Sequence, residues 1–182
     1  MRNVVRKIKV DDPLRRLALD EAMELFQAAH RSLEESSRIM LAKRGLGRAH
    51  QRILYLVART PGQSVSDMLG RLQVTKQALN TPLNQLKRKG LVRARRQPGN
   101  GRRKQLFLTP AGEALELQLS GEHRTRLASA FLTIGSHGER RWRDAMLHLA
   151  NGDLTFAPLR SQSSPQVLRS WMARRRLAEA KS

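Results

Sequence analysis

Apolar side chains recur every three or four residues through the first third of the chain. This spacing predicts one long amphipathic helix from Pro13 to Arg44. Its apolar positions are Leu14, Ala18, Ala22, Leu25, Ala29, Leu33 and Met40. Gly45 and Gly47 interrupt this pattern. The apolar segment from Ile53 to Val57 then predicts a short second helix, which ends at Thr60-Pro61-Gly62 because proline and glycine terminate helices.

Two more short helices are indicated by their capping residues. Ser64 and Asp67 have the spacing of a capping box, in which each side chain accepts a backbone N–H of the first turn. The third helix starts there, with inward positions Val65, Met68, Leu69 and Leu72. After a turn at Gln73-Val74, Thr75 caps a fourth helix that extends to Lys89 and stops at Gly90. Two short helices joined by a tight turn form a helix-turn-helix.

A β-hairpin is predicted directly after these helices. The segments Leu91 to Arg96 and Lys104 to Leu108 are interpreted as strands, and Leu106 and Leu108 alternate with polar or exposed neighbours. Pro98 to Gly101, with the sequence Pro-Gly-Asn-Gly, is predicted to form the turn because Asn-Gly is a strong hairpin signal. The hairpin would be the wing of a winged helix-turn-helix.

Helices are predicted again after the hairpin. Thr109 and Pro110 supply an N-cap and a first-turn proline for a long helix. Its apolar stripe is Leu115, Leu119, Leu127, Phe131 and Ile134. A last helix follows Ser136, and its predicted packed face is Trp142, Ala145, Met146 and Leu149. The predicted fold class is therefore mainly α with a small β-wing: a winged helix-turn-helix flanked by N- and C-terminal helices.

Composition narrows the range of partners. Among 182 residues, Lys and Arg number 35 and Asp and Glu 15, for a net charge of +20. Between Asp67 and Glu113 the chain has no acidic residue. The basic residues of that stretch are Arg71, Lys76, Lys87, Arg88, Lys89, Arg93, Arg95, Arg96, Arg102, Arg103 and Lys104. This part of the chain is expected to face a polyanion, such as nucleic acid.

The fourth helix has one polar face that suits base recognition. Steps of 100° place Gln77, Thr81, Asn84 and Arg88 opposite Leu79, Leu83 and Leu86. Lys76 and Asn80 flank this polar stripe, and the N-cap Thr75 completes the candidate DNA-binding residues of the helix. Gln and Asn can bind adenine through two hydrogen bonds, Thr can contact a thymine methyl, and Arg can bind guanine or a phosphate. Pro82 lies inside this helix. From the residues alone, either the helix bends at Pro82 or packing accommodates it.

The predicted wing supplies the second set of candidate DNA contacts. These residues are Arg95, Arg96, Asn100, Arg102, Arg103 and Lys104. Around a glycine-rich tip, such residues can approach the phosphate backbone or enter a narrow minor groove. Phosphate contacts supply affinity and register, whereas base contacts supply specificity.

The segment from Gln51 to Leu115 resembles the MarR family of winged-helix transcription regulators. Four stretches carry this resemblance: Pro61 to Asp67 (PGQSVSD), Leu72 to Gln77 (LQVTKQ), Leu86 to Val92 (LKRKGLV) and Leu108 to Gly112 (LTPAG). The resemblance implies a bacterial regulator, most often a repressor. It would act as a homodimer joined through its terminal helices, on a pseudo-palindromic operator.

The resemblance also implies that a small, often aromatic, ligand binds between the dimer helices and the DNA-binding lobe; the residues of such a pocket are not identified by the sequence. The chain departs from the family in its wing. Where the family usually has Asp-x-Arg, this chain has Asn100-Gly-Arg102. An amide cannot neutralise the arginine, so a more mobile and more cationic wing is expected.

Other chemistry is not indicated. The chain has no cysteine, and its five histidines are scattered, so neither a metal site nor a cofactor is expected. No phosphate-binding glycine loop or nucleophile motif is found, so an enzyme is not expected. No segment approaches the ~20 apolar residues of a membrane span, which predicts a cytoplasmic, nucleoid-associated protein without a membrane partner.

The predicted organisation has five parts. These are a flexible basic N-terminus (1–12), an N-terminal dimerisation helix (13–46), the winged helix-turn-helix (47–112), C-terminal dimerisation helices (113–152), and a linker with a basic tail (153–182). The tail, with a possible helix from Gln166 to Ala180, has three interpretations: a disordered end, a helix packed in the dimer, or a basic arm on DNA. Two alternative functions are a basic architectural or RNA-associated protein without base specificity, and a peripheral membrane or partner-binding protein acting through the tail.

Overall fold

The computed structural model describes residues 12–97 and 100–150. The predictions for residues 1–11 and for the tail from 151 to 182 lie outside the described residues. The described elements are α1 (Pro13–Ala42), α2 (Arg48–Arg59), α3 (Val65–Leu72), α4 (Lys76–Arg88), β1 (Val92–Gln97), β2 (Asn100–Leu108) and α5 (Pro110–Leu149). The predicted fold class, mainly α with a small β-wing, is confirmed.

The helices begin where the capping residues predict. Ser64 Oγ accepts the amide of Asp67 at 3.1 Å, and the Asp67 carboxylate accepts the amide of Ser64 at 2.8 Å. Thr75 and Thr109 each accept, through the side-chain oxygen, the amide three residues ahead. Each of these bonds satisfies an N–H group that has no partner within its own helix. The starts of α3, α4 and α5 are therefore set by local side chains.

The hydrophobic core lies in the lobe formed by α2, α3, α4, the hairpin and the start of α5, and the end of α1 contributes Leu41 to it. The residues buried there are Leu41, Leu46, Ile53, Leu54, Leu56, Val57, Met68, Leu79, Leu83, Leu86, Val92, Leu106, Leu108, Leu115 and Leu119. Two residues with positive φ terminate helices: Gln73 (50°) after α3 and Gly90 (67°) after α4. The first allows the tight turn between α3 and α4, and the second turns the chain from α4 into the hairpin.

The hairpin is longer than the sequence predicts. Strands β1 and β2 are antiparallel and pair regularly from Val92–Leu108 to Arg96–Lys104; the register then shifts, and Gln97 pairs with Asn100, which already belongs to β2. The prediction that the turn spans Pro98 to Gly101 is therefore wrong at its second half.

A third short segment extends this sheet on the other side of β2. The amide of Gly62 donates to the carbonyl of Leu106 at 2.8 Å, and the amide of Leu106 donates to the carbonyl of Gln63 at 3.0 Å. Ser64 forms an isolated bridge with Gln105. The loop before α3 is thereby tied to the wing, so the helix-turn-helix and the hairpin form one packed unit.

The two long helices leave most of their apolar residues exposed. In α1 only Ser37 and Leu41 are buried, and Leu14 is 77% exposed. In α5, Leu115 and Leu119 are buried, but Leu132 is 85% exposed. Gly135 has non-helical angles (φ 66°, ψ 176°), which break α5 where the sequence predicts a separate last helix. Amphipathic faces that this chain does not cover by itself therefore run along both helices.

Part of the last helix packs within the chain. The ring of Trp142 meets the ring of Phe131 edge to face, with centroids 5.1 Å apart. The predicted face as a whole is not covered by this chain: Trp142, Ala145 and Leu149 are exposed, and only Met146 is half-buried. No helix in the described part of the chain is long and apolar enough to cross a membrane.

Candidate nucleic-acid interface

Helix α4 separates its buried side from its polar side as the sequence predicts. Leu79, Pro82, Leu83 and Leu86 are buried. The exposed predicted site residues are Thr75, Lys76, Gln77, Thr81, Asn84 and Arg88, and Asn80 is half-buried. Because the opposite side is anchored in the core, these side chains point away from the protein on a fixed element. An extended helix face of this kind can enter a major groove.

Pro82 does not end the helix. Residues 76–88 form one helix, and Pro82 is buried beside Leu83. Proline removes one backbone hydrogen bond and costs about 3 kcal/mol in an ordinary helix interior. Here its ring lies on the buried side of α4, so packing in the core offsets part of that loss. Accommodation by packing is therefore the alternative that the structure supports.

The hairpin carries a second basic surface. Arg93, Arg95 and Arg96 on β1 and Lys104 on β2 are exposed, and Arg96 pairs with Lys104 across the ladder. The guanidinium of Arg95 lies 5.8 Å from the ring centroid of Phe107. The backbone places the other predicted wing residues on β2, namely Asn100, Arg102 and Arg103. Placing several cations on a two-stranded ribbon suits contacts to a phosphate backbone.

A cavity of about 550 Å³ lies between the long helices and the lobe. It is lined by His30, Glu34, Arg48, Gln51, Arg52, Tyr55, Leu56, Arg71, Leu72 and His123. Arg71 donates to Thr60 Oγ1 at 2.6 Å. His123 Nε2 is 2.9 Å from Ser37 Oγ, across the gap between α5 and α1. The wall therefore combines an aromatic ring and aliphatic side chains with three arginines and one carboxylate, Glu34, which pairs with Arg48. Because the arginines outnumber this carboxylate, the cavity suits a small organic anion.

A buried ion pair lies next to Tyr55, one of the residues that line this cavity. Arg59 of α2 donates to Glu116 of α5 at 2.8 Å, and their side chains are only 9% and 6% exposed. Ser120 Oγ donates to the same carboxylate oxygen at 2.5 Å. The Arg59 guanidinium also stacks on the ring of Tyr55, 3.2 Å from its centroid. Through Arg59 and Glu116, the ring of Tyr55 in the cavity wall is therefore linked to α5.

The chain is similar to known transcription regulators. A sequence profile of the MarR family matches residues 44–103. The HTH-type transcriptional regulator PetP of Rhodobacter capsulatus is 32% identical over 128 residues, which are 70% of this chain and 77% of PetP. This chain belongs to the MarR family. It is a DNA-binding transcription regulator of that family.

Solved structures agree with this assignment at the level of the fold. A MarR-family transcriptional regulator from Silicibacter pomeroyi superposes with a TM-score of 0.59 at 23% identity, over 72% of this chain and 89% of that one. The transcriptional regulator SlyA superposes with a TM-score of 0.59 at 15% identity, over 71% of this chain and 92% of SlyA. The winged helix architecture of the MarR family therefore spans the lobe and the long helices.

In this MarR-family chain, Lys87 is a candidate that the sequence analysis missed. From the sequence, Lys87 is only one of the basic residues of the acid-free stretch. In the structure, burial lowers the pKa of Lys87, and the positive charge of Lys104 on the wing lowers it further. The positive charges of Lys87 on α4 and Lys104 on the wing therefore repel each other. Only the tertiary fold brings them together, so no local pattern could reveal this pair.

We expect Lys87→Met to raise the melting temperature of the free protein. The fold disfavours the charged form of Lys87, so this penalty is present at neutral pH and disappears as the pH rises through 10.5, the ordinary pKa of lysine. Calorimetry at pH 7 and pH 10.5 should show that the gain in melting temperature of Lys87→Met over the wild type is smaller at the higher pH.

The same substitution should weaken DNA binding and reduce the salt slope of the affinity by about one, because a phosphate would otherwise neutralise Lys87 and Lys104 together. Lys89→Met is the matched control, since Lys89 is exposed at the end of the same helix. A melting temperature that falls in Lys87→Met, or rises equally in both variants, would contradict the like-charge interaction.

Proposed function

We propose that this MarR-family regulator is a sequence-specific repressor that binds an operator in double-stranded DNA. The observation that carries the proposal is the row of exposed hydrogen-bonding side chains on α4, namely Gln77, Thr81, Asn84 and Arg88, on a helix anchored in the core. The basic hairpin beside it supplies phosphate contacts, and no acid lies between Asp67 and Glu113 to oppose them. Among proteins of the same fold, MepR has been solved bound to an oligodeoxyribonucleotide.

The regulator is proposed to act as a homodimer. The uncovered apolar residues of α1 include Leu14, Leu17, Leu25 and Phe26, and those of α5 include Leu132, Ile134 and Leu149. Two helices with exposed leucine and phenylalanine side chains in one chain are typical of an interface that a second copy covers. A two-fold dimer presents two copies of α4, which predicts a pseudo-palindrome with half-sites about 10 base pairs apart.

A small aromatic carboxylate is the proposed effector that releases DNA. The cavity offers the ring of Tyr55 for stacking, and Arg52 and Arg71 for a carboxylate. NadR, which has the same fold, has been solved in complex with 4-hydroxyphenylacetate. Because the cavity touches α2 and α3, its occupancy can bias the position of the helix-turn-helix relative to α1 and α5.

The decisive test of the proposed function is base specificity. Gln77→Ala and Asn84→Ala should each reduce discrimination at particular base pairs by about 1–3 kcal/mol, because each would remove a bidentate base contact. The operator is first obtained by selection from fragments of the source genome. Binding is then measured by fluorescence anisotropy on that duplex, on each singly substituted duplex and on a random duplex.

Two controls separate base recognition from general affinity. Gln118→Ala removes an exposed glutamine of α5 and should leave binding unchanged. Arg96→Ala should weaken binding to all duplexes alike and lower the salt slope. If wild-type protein binds operator and random duplexes equally, the specific regulator is rejected in favour of a basic architectural protein. Equal losses on every duplex for Gln77→Ala and Asn84→Ala would remove those residues from base recognition.

A further inference from the structure

One histidine joins the start of α2 to α4, the helix proposed to read the bases. His50 lies in the first turn of α2, where its Nδ1 accepts the backbone N–H of Gly47 at 2.9 Å. Its Nε2 lies 2.5 Å from Oε1 of Gln85 on α4, which is 35 residues away in sequence. The imidazole is half-buried between the two helices. The same ring therefore caps one helix and contacts another.

The first of these bonds determines the second. A backbone N–H can only donate, so Nδ1 must be the unprotonated nitrogen of a neutral ring. The proton of the neutral ring is then on Nε2, which donates to Gln85 and requires the amide oxygen of Gln85 to face His50. The Gly47 cap thus selects the tautomer that can bind α4. The arrangement has one donor and one acceptor at each contact, with no alternative pairing.

Gln85 is well placed to transmit the contact with His50 to the exposed row of α4. It lies one helical turn after Thr81 and three residues before Arg88, at the edge of the exposed row. On the other side of the same turn of α2, Arg48 pairs with Glu34 of α1 at 2.5 Å. The first turn of α2 is therefore bonded to the long helix α1 and, through His50, to α4.

We propose that His50 is a positioning residue for DNA recognition. Its imidazole caps α2, holds the side chain of Gln85, and so fixes the orientation in which the exposed polar row of α4 meets the bases. This inference rests on the proposed function, because it presumes that α4 reads an operator. The buried apolar side chains of α4 hold the helix in the core. Because apolar packing is non-directional, they do not by themselves fix the rotation of α4 about its axis. A directional bond at the edge of the helix restricts rotation about the helix axis.

Two variants remove the contact from opposite ends. His50→Asn places an amide oxygen near the position of Nδ1, which preserves an acceptor for Gly47, but its side chain is too short to reach Gln85. Gln85→Met retains the length of the side chain and removes the oxygen acceptor. Each variant should bind the selected operator about threefold to tenfold more weakly, the effect of one net hydrogen bond, with little change on a random duplex. The double variant should be no weaker than the single variants.

The measurements are anisotropy on both duplexes at 25 °C, thermal unfolding, and long-range ¹H–¹⁵N spectra of the histidine rings. A merely structural role predicts a lower melting temperature with unchanged affinity of the folded protein. A positioning role predicts lost operator affinity well below the melting temperature, and an Nε2-protonated ring for His50 in the wild type. Unchanged operator affinity in Gln85→Met, additive losses in the double variant, or an Nδ1-protonated ring overturns the inference while leaving the proposed function intact. A wild type without operator preference overturns both.

Discussion

Glu116→Leu should lower the free energy of unfolding by about 3–5 kcal/mol, the cost of leaving a charge buried without its partner. Glu116 and Arg59 are almost completely buried, and Glu116 also accepts from Ser120. Removing the carboxylate leaves the Arg59 guanidinium in the interior between α2 and α5. Urea unfolding of the full chain, monitored by circular dichroism, measures the change as a shift of the midpoint at constant slope.

The double variant Arg59→Met with Glu116→Leu tests whether the charge causes this loss. Because both ionic groups are replaced by apolar side chains of similar volume, most of the lost stability should return. Glu122→Leu is the matched control on the exposed surface of α5, with an expected change within about 0.5 kcal/mol. A double variant as unstable as Glu116→Leu would mean that packing, and not the unpaired charge, determines the cost.

The second large effect is expected at Gly112, in the first turn of α5. A Cβ built on Gly112 would lie 2.0 Å from the carbonyl oxygen of Leu91. That oxygen cannot easily move, because it accepts the amide of Thr109 at 3.1 Å. Gly112→Ala should therefore push α5 away from the base of the hairpin and destabilise the protein by about 3 kcal/mol.

Gly121→Ala, on the same helix, is expected to change the stability in the opposite direction. Its Cβ would approach nothing closer than the end of the Arg124 side chain, at 3.9 Å. Alanine in a helix interior is favoured over glycine by about 0.5–1 kcal/mol, so this variant should be more stable than the wild type. Thermal unfolding of both variants gives the comparison. Destabilisation of similar size at both positions would show that the contact with Leu91 is not the cause.

Gly112 and the Arg59–Glu116 pair both affect how the lobe is held against α5. Gly112 allows α5 to approach the hairpin base, and the Arg59–Glu116 pair joins α2 to the same helix. Both lie where the DNA-binding lobe meets the long helix. We therefore expect the destabilised variants to bind operator more weakly even at temperatures where they remain folded, because the orientation of the lobe depends on these contacts.

Much of this fold follows from short-range patterns. The caps at Ser64, Thr75 and Thr109 and the two sides of α4 act within one or two turns, so their residues are close in sequence. The acid-free stretch between Asp67 and Glu113 likewise needs no structure to be recognised. The hairpin also follows from a local signal, but its second strand starts earlier than the Asn-Gly pair predicts, since Asn100 already belongs to β2.

The sequence by itself determined the order of the elements, the polar side of α4 and the basic character of the winged lobe, because periodicity, capping and charge are local. Only the tertiary structure decided which distant side chains meet. Arg59 and Glu116 are 57 residues apart, Ser37 and His123 86, and His50 and Gln85 35. Such contacts depend on how the helices pack and not on any repeat along the chain. The cavity, the buried ion pair and the contact between His50 and α4 therefore became visible only in the folded chain.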